Sequence, residues 1–123
     1  MITLGPINDK SRVEKIFKER NLAFTQYSGC VAAECSEEVL GVCLYELTPD
    51  KMTVLYIEPI GDIALADGIL RSTLHVAAER SIMSAFYAET VSEDFLNKIG
   101  FIKNAQEKSL EIDKLFKSCC SCG

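Results

Sequence analysis

The chain has 123 residues, of which 48% are hydrophobic and 25% are charged, and its formal net charge is −5. Such a composition is typical of a single globular domain that buries a core of its own. Nucleic acid is not expected as a partner, because phosphate binding needs clustered Lys and Arg. No apolar run approaches the roughly 20 residues that a membrane-spanning helix needs.

The N-terminus and the cysteines bear on the cellular compartment. Residues 1–10 lack a charged leader followed by an apolar stretch, so we expect a cytoplasmic protein without a membrane partner. Thiols stay reduced in that compartment, and a disulfide framework is not expected. The six cysteines are Cys30, Cys35, Cys43, Cys119, Cys120 and Cys122.

A strand and a helix are predicted at the start of the chain. Residues 1–6 are typical of a short strand. Ser11 followed by Glu14 forms a capping box, which predicts a helix over residues 11–21. The apolar stripe of this helix consists of Val13, Ile16 and Phe17. The opposite face is basic, and we interpret it as solvated in preference to an anion site; it carries Lys10, Arg12, Lys15, Lys18 and Arg20.

Three strand-like runs follow, and their short polar connections make them antiparallel neighbours. Gly41 lies within the middle run, where a glycine predicts either a bulge or the close approach of another part of the chain. The runs cover residues 29–34, 39–46 and 52–58.

The third run leads into a second helix, and the chain is organised around this junction. Pro59 and Gly61 end the strand, since proline has no N–H to donate and glycine turns freely. Asp62 can cap the helix that follows. A helix N-terminus in this position offers free N–H groups and a positive dipole end to a phosphate. Helical spacing on the buried face is kept by Ala66, Ile69, Leu70, Thr73, Leu74 and Ala77.

The last third of the chain predicts a strand, a short helix and two further strands. Residues 84–89 should run parallel to residues 52–58, because a helix connects the two. Thr90 or Ser92 can cap the short helix, and Gly100 fits the left-handed position that ends it. The final strands are predicted at residues 101–103 and 109–112, with a helix as the alternative for the second of them.

This order of elements, with MTVLYIEPIGDIALADGILRSTLHVAAER (52–80) and SEDFLNKIGF (92–101), resembles the acyl-CoA-binding half of the GNAT acetyltransferase superfamily. The resemblance implies an α/β (α+β) fold with a mixed, mostly antiparallel sheet, helices on both faces, and a splay between the central parallel strands. We divide the chain into one such domain over residues 1–118 and a cysteine-rich tail over residues 119–123. The family often has two helices after the first strand, whereas this chain has room for one.

In GNAT proteins a loop of the form Arg/Gln-x-x-Gly-x-Gly/Ala holds the pyrophosphate of coenzyme A at this junction. The matching sequence is GDIALA, in which Gly61 replaces Arg/Gln, Ala64 replaces the first glycine, and Ala66 fits the last position. The resemblance implies acetyl-CoA as the acyl donor and no metal. It assigns the pyrophosphate to Ile63, Ala64, Leu65, Ala66 and Asp67. It assigns the pantetheine and the thioester carbonyl to the backbone of Leu55, Tyr56 and Ile57.

The resemblance also implies direct attack of an acceptor amine on the thioester, assisted by a general base and a general acid. Glu58 is the predicted base, with Glu89 as second choice. The family's usual acid is a tyrosine four residues before a Gly-Phe pair, and that position holds Leu96 here. Tyr87 or Tyr56 could supply the proton instead, and without any acid the reaction would be slower but still possible, because a thiolate is a tolerable leaving group. The structural alternatives are a solvated carboxylate for each glutamate and core packing for each tyrosine.

Three hypotheses about function follow. The leading one is a cytoplasmic GNAT-like N-acetyltransferase that acts on a small-molecule or peptide amine. The second is a catalytically weak or inactive GNAT-fold protein that binds CoA or a protein partner, supported by Gly61, Ala64 and Leu96. The third is a thiol or metal protein built on the tail, although its adjacent cysteines lack the usual spacing of zinc ligands. The sequence leaves open the acceptor and the oligomeric state, a homodimer included.

Overall fold

The computed structural model describes residues 2–115, which form seven strands and three helices. The elements are β1 (Thr3–Pro6), α1 (Lys10–Glu19), β2 (Ser28–Cys35), β3 (Glu38–Leu47), β4 (Met52–Glu58), α2 (Ile63–Glu79), β5 (Ala85–Tyr87), α3 (Glu93–Ile99), β6 (Ile102–Asn104) and β7 (Ser109–Leu110). The strands form one sheet in the order β1-β2-β3-β4-β5-β7-β6. β4 and β5 run parallel, whereas the other neighbouring pairs are antiparallel. The predicted mixed, mostly antiparallel sheet is thereby confirmed.

The helices cover both faces of the sheet. α1 packs on one face through Val13, Ile16 and Phe17, against inward side chains of β2 and β3. α2 and α3 pack on the opposite face, where the larger of the two cores lies. The apolar residues of α2 that the sequence selected by helical spacing are all buried there. Burial of two separate apolar faces explains why the strands of the sheet centre carry apolar side chains in both directions.

The start of α1 differs from the sequence prediction. Its N-cap is Asp9, whose carboxylate accepts hydrogen bonds from the backbone N–H groups of Ser11 (3.0 Å) and Arg12 (3.4 Å). The predicted capping box of Ser11 and Glu14 is therefore wrong. Aspartate caps helices as well as serine does, and Asp9 lies two residues earlier, so the helix begins at Lys10. It ends at Glu19 because Asn21 has a φ of 57°, which a right-handed helix does not allow.

The prediction for Gly41 is confirmed in both of its forms. Leu40 is an extra residue of β3, since Gly41 lies opposite Ala33 while Val39 lies opposite Glu34. A Cβ at Gly41 would lie 2.7 Å from the carbonyl oxygen of Glu58, and equally close to side-chain atoms of two other residues. The missing side chain therefore lets the end of β4 approach β3 closely.

Local signals in the second half of the chain perform as predicted. Asp62 caps α2, and Ser92, the second of the two candidate caps, accepts a hydrogen bond from Phe95 N at the start of α3. Gly100 ends α3 with a φ of 73°. Residues 109–110 form a strand, which removes the helical alternative for that run. No helix among residues 2–115 is long and apolar enough to cross a membrane. The predicted tail, residues 119–123, lies outside the described part of the chain.

Candidate active site

A gap opens between β4 and β5 part of the way along β4. The two strands pair from Met52 opposite Ala85 to Val54 opposite Tyr87, where β5 ends. The last backbone hydrogen bond across the pair runs from Ala88 N to Val54 O (2.8 Å), and the Thr90 hydroxyl donates to the carbonyl of Leu55. Beyond this point β4 continues to Glu58 without β5 beside it. The splay between the central parallel strands therefore begins at Leu55.

A bulge in β4 coincides with the start of this gap. Leu44 of β3 lies opposite Tyr56, and its neighbour Tyr45 lies opposite Val54, so Leu55 is the extra residue of β4. A bulge bends its strand and increases the local twist. The bend at Leu55 explains why β4 leaves β5 at this residue.

The direction of the backbone identifies which N–H group of β4 faces the gap. Leu47 of β3 donates its N–H to Tyr27 on the β2 side (2.8 Å). Directions alternate along a strand, so Cys43, four residues earlier, also faces β2 and not β4. Ile57 lies opposite Cys43 and therefore directs its N–H and C=O away from β3, into the gap. Of Leu55, Tyr56 and Ile57, the three residues predicted from the sequence, Ile57 is the one whose N–H the register directs into the gap.

The start of α2 is the second part of the candidate site. Ile63 and Ala64 are exposed there and Leu65 is half-buried, whereas Ala66 is fully buried in the core. The Asp67 carboxylate accepts a hydrogen bond from Arg71 Nε, which lies 3.2 Å from each of its two oxygens. Of the five residues assigned to a pyrophosphate, Ile63 and Ala64 are thus the most exposed.

The cap of α2 places a negative charge where a phosphate would have to bind. The carboxylate of Asp62 accepts a hydrogen bond from Leu65 N (3.1 Å), and the Asp62 carbonyl accepts one from Ala66 N (2.9 Å). Asp62 itself is exposed. An anion at this helix end would benefit from the dipole but would also be repelled by the cap.

Glu58, the predicted general base, forms an ion pair with Arg20 at the end of α1. Arg20 Nε lies 2.5 Å from Glu58 Oε1, and the guanidinium lies 5.8 Å from the centre of the Tyr56 ring. Burial lowers the pKa of Arg20, but the hydrogen bond and the charge of Glu58 outweigh it and leave that pKa raised. The guanidinium of Arg20 is therefore charged at neutral pH, and it lies against one carboxylate oxygen of Glu58.

Tyr87, the predicted proton donor, lies in the larger core on the face of α2 and α3. Its hydroxyl donates to Glu93 Oε2 (2.6 Å). Burial, together with the hydrogen bond and the charge of Glu93, raises the pKa of Tyr87 to about 12. Glu58 contacts α1 on the opposite face of the sheet, so the fold does not bring the two predicted catalytic side chains together. Leu96 is fully buried in the same core as Tyr87.

Arg20 is the site residue that sequence reasoning missed, because it was counted with the solvated basic face of α1. Its position carried a signal: Arg20 follows Ile16 by four residues and Phe17 by three, which places it on the apolar stripe. In the structure its side chain is only 23% exposed, and Nη1 donates to the Ile16 carbonyl (3.2 Å). Arg12, on the same helix, pairs with Glu34 at 3.0 Å. Two of the five basic residues thus bind carboxylates of the sheet.

A cavity of the described residues lies away from Glu58 and the gap. It measures about 1000 Å³ and lies between β1, the side of α2 and residues 24–29. A smaller cavity of about 380 Å³ lies beside Tyr87, and Glu89, the second candidate base, lines it. Residues 2–115 contain no group of three His, Cys, Asp or Glu side chains that could hold a metal. Burial raises the pKa of the Cys30 and Cys43 thiols to about 12, as expected for inert core thiols.

A scan of protein-family models and a search of curated proteins each give no match. Solved structures do match. A ribosomal-protein-alanine N-acetyltransferase from Brucella melitensis biovar Abortus 2308 has a TM-score of 0.58 at 13% identity, over 85% of this chain and 94% of that chain. A Desulfovibrio desulfuricans protein assigned to the GNAT family of acetyltransferases has a TM-score of 0.59 at 12% identity, over 85% and 87%. The E. coli protein YhhK, bound to coenzyme A, has a TM-score of 0.54 at 14% identity, over 85% and 93%.

At these identities the likeness concerns the fold. The chain has the fold of the GNAT acetyltransferase superfamily, as its sequence resemblance implied. The chain has one seven-stranded sheet, a gap between the central parallel strands β4 and β5, and a helix, α2, that follows β4.

Proposed function

We propose that this protein is a GNAT-type N-acetyltransferase that transfers the acetyl group of acetyl-CoA to an amine. The observation that carries the proposal is the Ile57 N–H, which faces a gap opened by the bulge at Leu55. A fixed backbone donor at the edge of such a gap can stabilise the negative charge that develops on a thioester carbonyl oxygen under attack. A cytoplasmic location and a small-molecule or peptide acceptor belong to the same proposal.

The residues present fit the acyl donor in part. The gap offers the Ile57 N–H and C=O to the thioester and to pantetheine amides. The exposed residues Ile63 and Ala64 at the start of α2 can offer their N–H groups to a pyrophosphate. The Asp62 carboxylate opposes that second contact. We therefore expect acetyl-CoA to bind weakly, at a site that the backbone defines more than any side chain does.

Glu58 would act as the general base in this scheme. It would accept one proton from the incoming ammonium, after which the neutral amine attacks the thioester carbon, a C–N bond forms and the C–S bond breaks. The thiolate leaves with the electron pair and takes the second proton of the amine, directly or through water. If Tyr87 donated to the thiolate instead, the second amine proton would have to return to the tyrosinate, and a phenol with its pKa raised to about 12 gives up its proton reluctantly.

The rival proposal is a GNAT-fold protein that binds CoA and has little or no turnover. Two observations favour it: Leu96, fully buried, takes the place of the usual acid, and one carboxylate oxygen of Glu58 is already bound by Arg20. A third hypothesis, a metal or redox function of Cys119, Cys120 and Cys122, concerns residues outside the described part of the chain. Loss of metal from the purified protein on deletion of residues 119–123 would support that hypothesis.

Two measurements separate the first two proposals. Calorimetry with acetyl-CoA tests binding, and release of free thiol with a panel of amines tests turnover. Glu58→Gln should lower turnover at neutral pH, whereas Glu34→Gln, which removes the carboxylate of the comparable Arg12 pair, should not. Binding without turnover would support the rival. Absence of heat and of a thermal shift at millimolar acetyl-CoA would contradict both.

A further inference from the structure

The ion pair between Arg20 and Glu58 leaves polar atoms open on both partners. Glu58 uses Oε1 for Arg20, and its Oε2 accepts no hydrogen bond from the residues that the structure describes. Arg20 donates Nε to Glu58 and Nη1 to the Ile16 carbonyl, while Nη2 donates none within residues 2–115. Within residues 2–115 the pair therefore has one carboxylate oxygen and one guanidinium nitrogen without a hydrogen-bond partner, while Glu19 Oε1 lies 3.6 Å from Arg20 Nη1.

The arginine of this pair is more buried than the other two cations of α1 that the comparison includes. The Arg20 side chain is 23% exposed, against 40% for Arg12 and 71% for Lys18. Its guanidinium is fixed by the helix carbonyl of Ile16 at one edge and lies above the Tyr56 ring. A side chain that is ordered before a ligand arrives loses less conformational entropy on binding.

The location of the pair relates it to the gap. Glu58 follows Ile57 directly, and its side chain lies on the α1 face, opposite the face on which α2 begins. A molecule held at Glu58 Oε2 would therefore lie one residue from the N–H proposed to bind the thioester oxygen. It would approach from the face that α2 leaves free.

We propose that the acceptor of the acetyl group is a free α-amino acid, whose ammonium binds Glu58 and whose carboxylate binds Arg20 Nη2. This inference rests on the proposed function. In an α-amino acid the ammonium and the carboxylate are joined through a single carbon, which keeps opposite charges about 3 Å apart, as in the N···O contact of an ion pair. Arginine is also the side chain whose planar fork suits a carboxylate best.

The chemistry balances at this site. One ammonium proton passes to Glu58 and then to solvent, the amine nitrogen forms the new bond to the acetyl carbon, and the thiolate leaves and takes the second proton. The product is an N-acetyl amino acid, which has lost its positive charge and with it the contact to Glu58. Glu58 can then return to Arg20 alone, which favours release of the product.

The first test measures binding without acetyl-CoA, so that its result does not depend on turnover. Each of the twenty standard L-α-amino acids is titrated into the protein, with binding followed by NMR chemical shifts. For any that binds, the amide and the decarboxylated amine are titrated next. We expect at least one amino acid to bind, and each analogue to bind at least about tenfold more weakly, because each loses a charge-assisted hydrogen bond.

Matched variants assign the site. Arg20→Gln should weaken binding of the amino acid by about tenfold or more, because a charge-assisted hydrogen bond is lost. Arg12→Gln, which removes the same charge from the same helix, should leave binding unchanged. Thermal unfolding of both variants confirms that they are folded. The inference is overturned if no amino acid binds at about 10 mM, a concentration well above the KM of most substrates. It is also overturned if the amide of an amino acid binds as tightly as the amino acid itself.

Turnover completes the test and separates this inference from the proposed function. An amino acid that binds and is acetylated, with loss of turnover in Arg20→Gln, supports both. Acetylation of other amines without amino-acid binding overturns the inference and leaves the function standing. Amino-acid binding without acetylation of any amine refutes the proposed function and leaves the binding site standing.

Discussion

Replacing Asp62 by asparagine should tighten the binding of coenzyme A. Asparagine caps a helix as well as aspartate does, so the hydrogen bond from Leu65 N can persist while the charge is lost. Asp62 Oδ1 lies 3.1 Å from Leu65 N, and a phosphate on the neighbouring N–H groups would lie about 5 Å from that carboxylate, where two unit charges repel by about 0.8 kcal/mol in water. One to two phosphate charges then correspond to roughly a four- to fifteenfold change in Kd.

The assay is isothermal titration of coenzyme A into both proteins at low salt. The repulsion should shrink at 1 M salt, where the screening length falls to about 3 Å. Asp50→Asn is the matched control, because Asp50 is also exposed and lies in the turn between β3 and β4. An unchanged affinity in Asp62→Asn, or an equal gain in Asp50→Asn, would refute the placement of the pyrophosphate at the start of α2.

Three further predictions concern the packing and the protonation of the core. Gly41→Ala should lower the Tm by roughly 4–12 °C, because overpacking costs about 1–3 kcal/mol. Gly5→Ala is the control, because a Cβ at Gly5 would have no atom within 4 Å. Equal melting temperatures of the two variants would contradict the reasoning. Leu96→Tyr should lower the urea midpoint, because Leu96 is fully buried and leaves no room for a larger ring; an unchanged midpoint with faster turnover would show instead that the family's usual acid had been restored. The free energy of unfolding should fall as the pH rises from about 9 towards 12. In the folded state the pKa values of Cys30 and Cys43 are raised from 9.0 to about 12, and those of Tyr45 and Tyr87 from 10.0 to about 12. The folded state therefore keeps protons that the unfolded state releases in this pH range. Equal urea midpoints at pH 8 and about pH 10.5 would contradict that last prediction.

The candidate site divides into parts that the sequence could predict and parts that it could not. The strand before α2, the cap at Asp62 and the parallel strand β5 follow from local periodicity and turn chemistry. The bulge at Leu55 does not, because a bulge depends on the register of two strands and on which residue of each lies opposite. Without that register, Leu55, Tyr56 and Ile57 were equivalent candidates for the backbone donor.

The first residue of α1 was hard to predict because two neighbouring residues could each cap the helix. Asp9 and Ser11 are both good caps within three residues of each other, and the strength of the signals differs little. Ser11 was favoured because Glu14 completes a capping box with it. The structure uses Asp9, whose carboxylate reaches two backbone N–H groups at once.

By itself the sequence determined the order of the elements, the apolar faces of α1 and α2, and the end of α3 at Gly100. These features depend on residues a few positions apart, so they can be predicted from the spacing and the backbone preferences of those residues. Only the tertiary structure decided that Arg20 pairs with Glu58, 38 residues away, and that the Thr90 hydroxyl bonds the Leu55 carbonyl where the gap begins. Contacts between residues so far apart in the sequence depend on how the helices and strands pack, since a long charged side chain can reach several partners from one position on a helix.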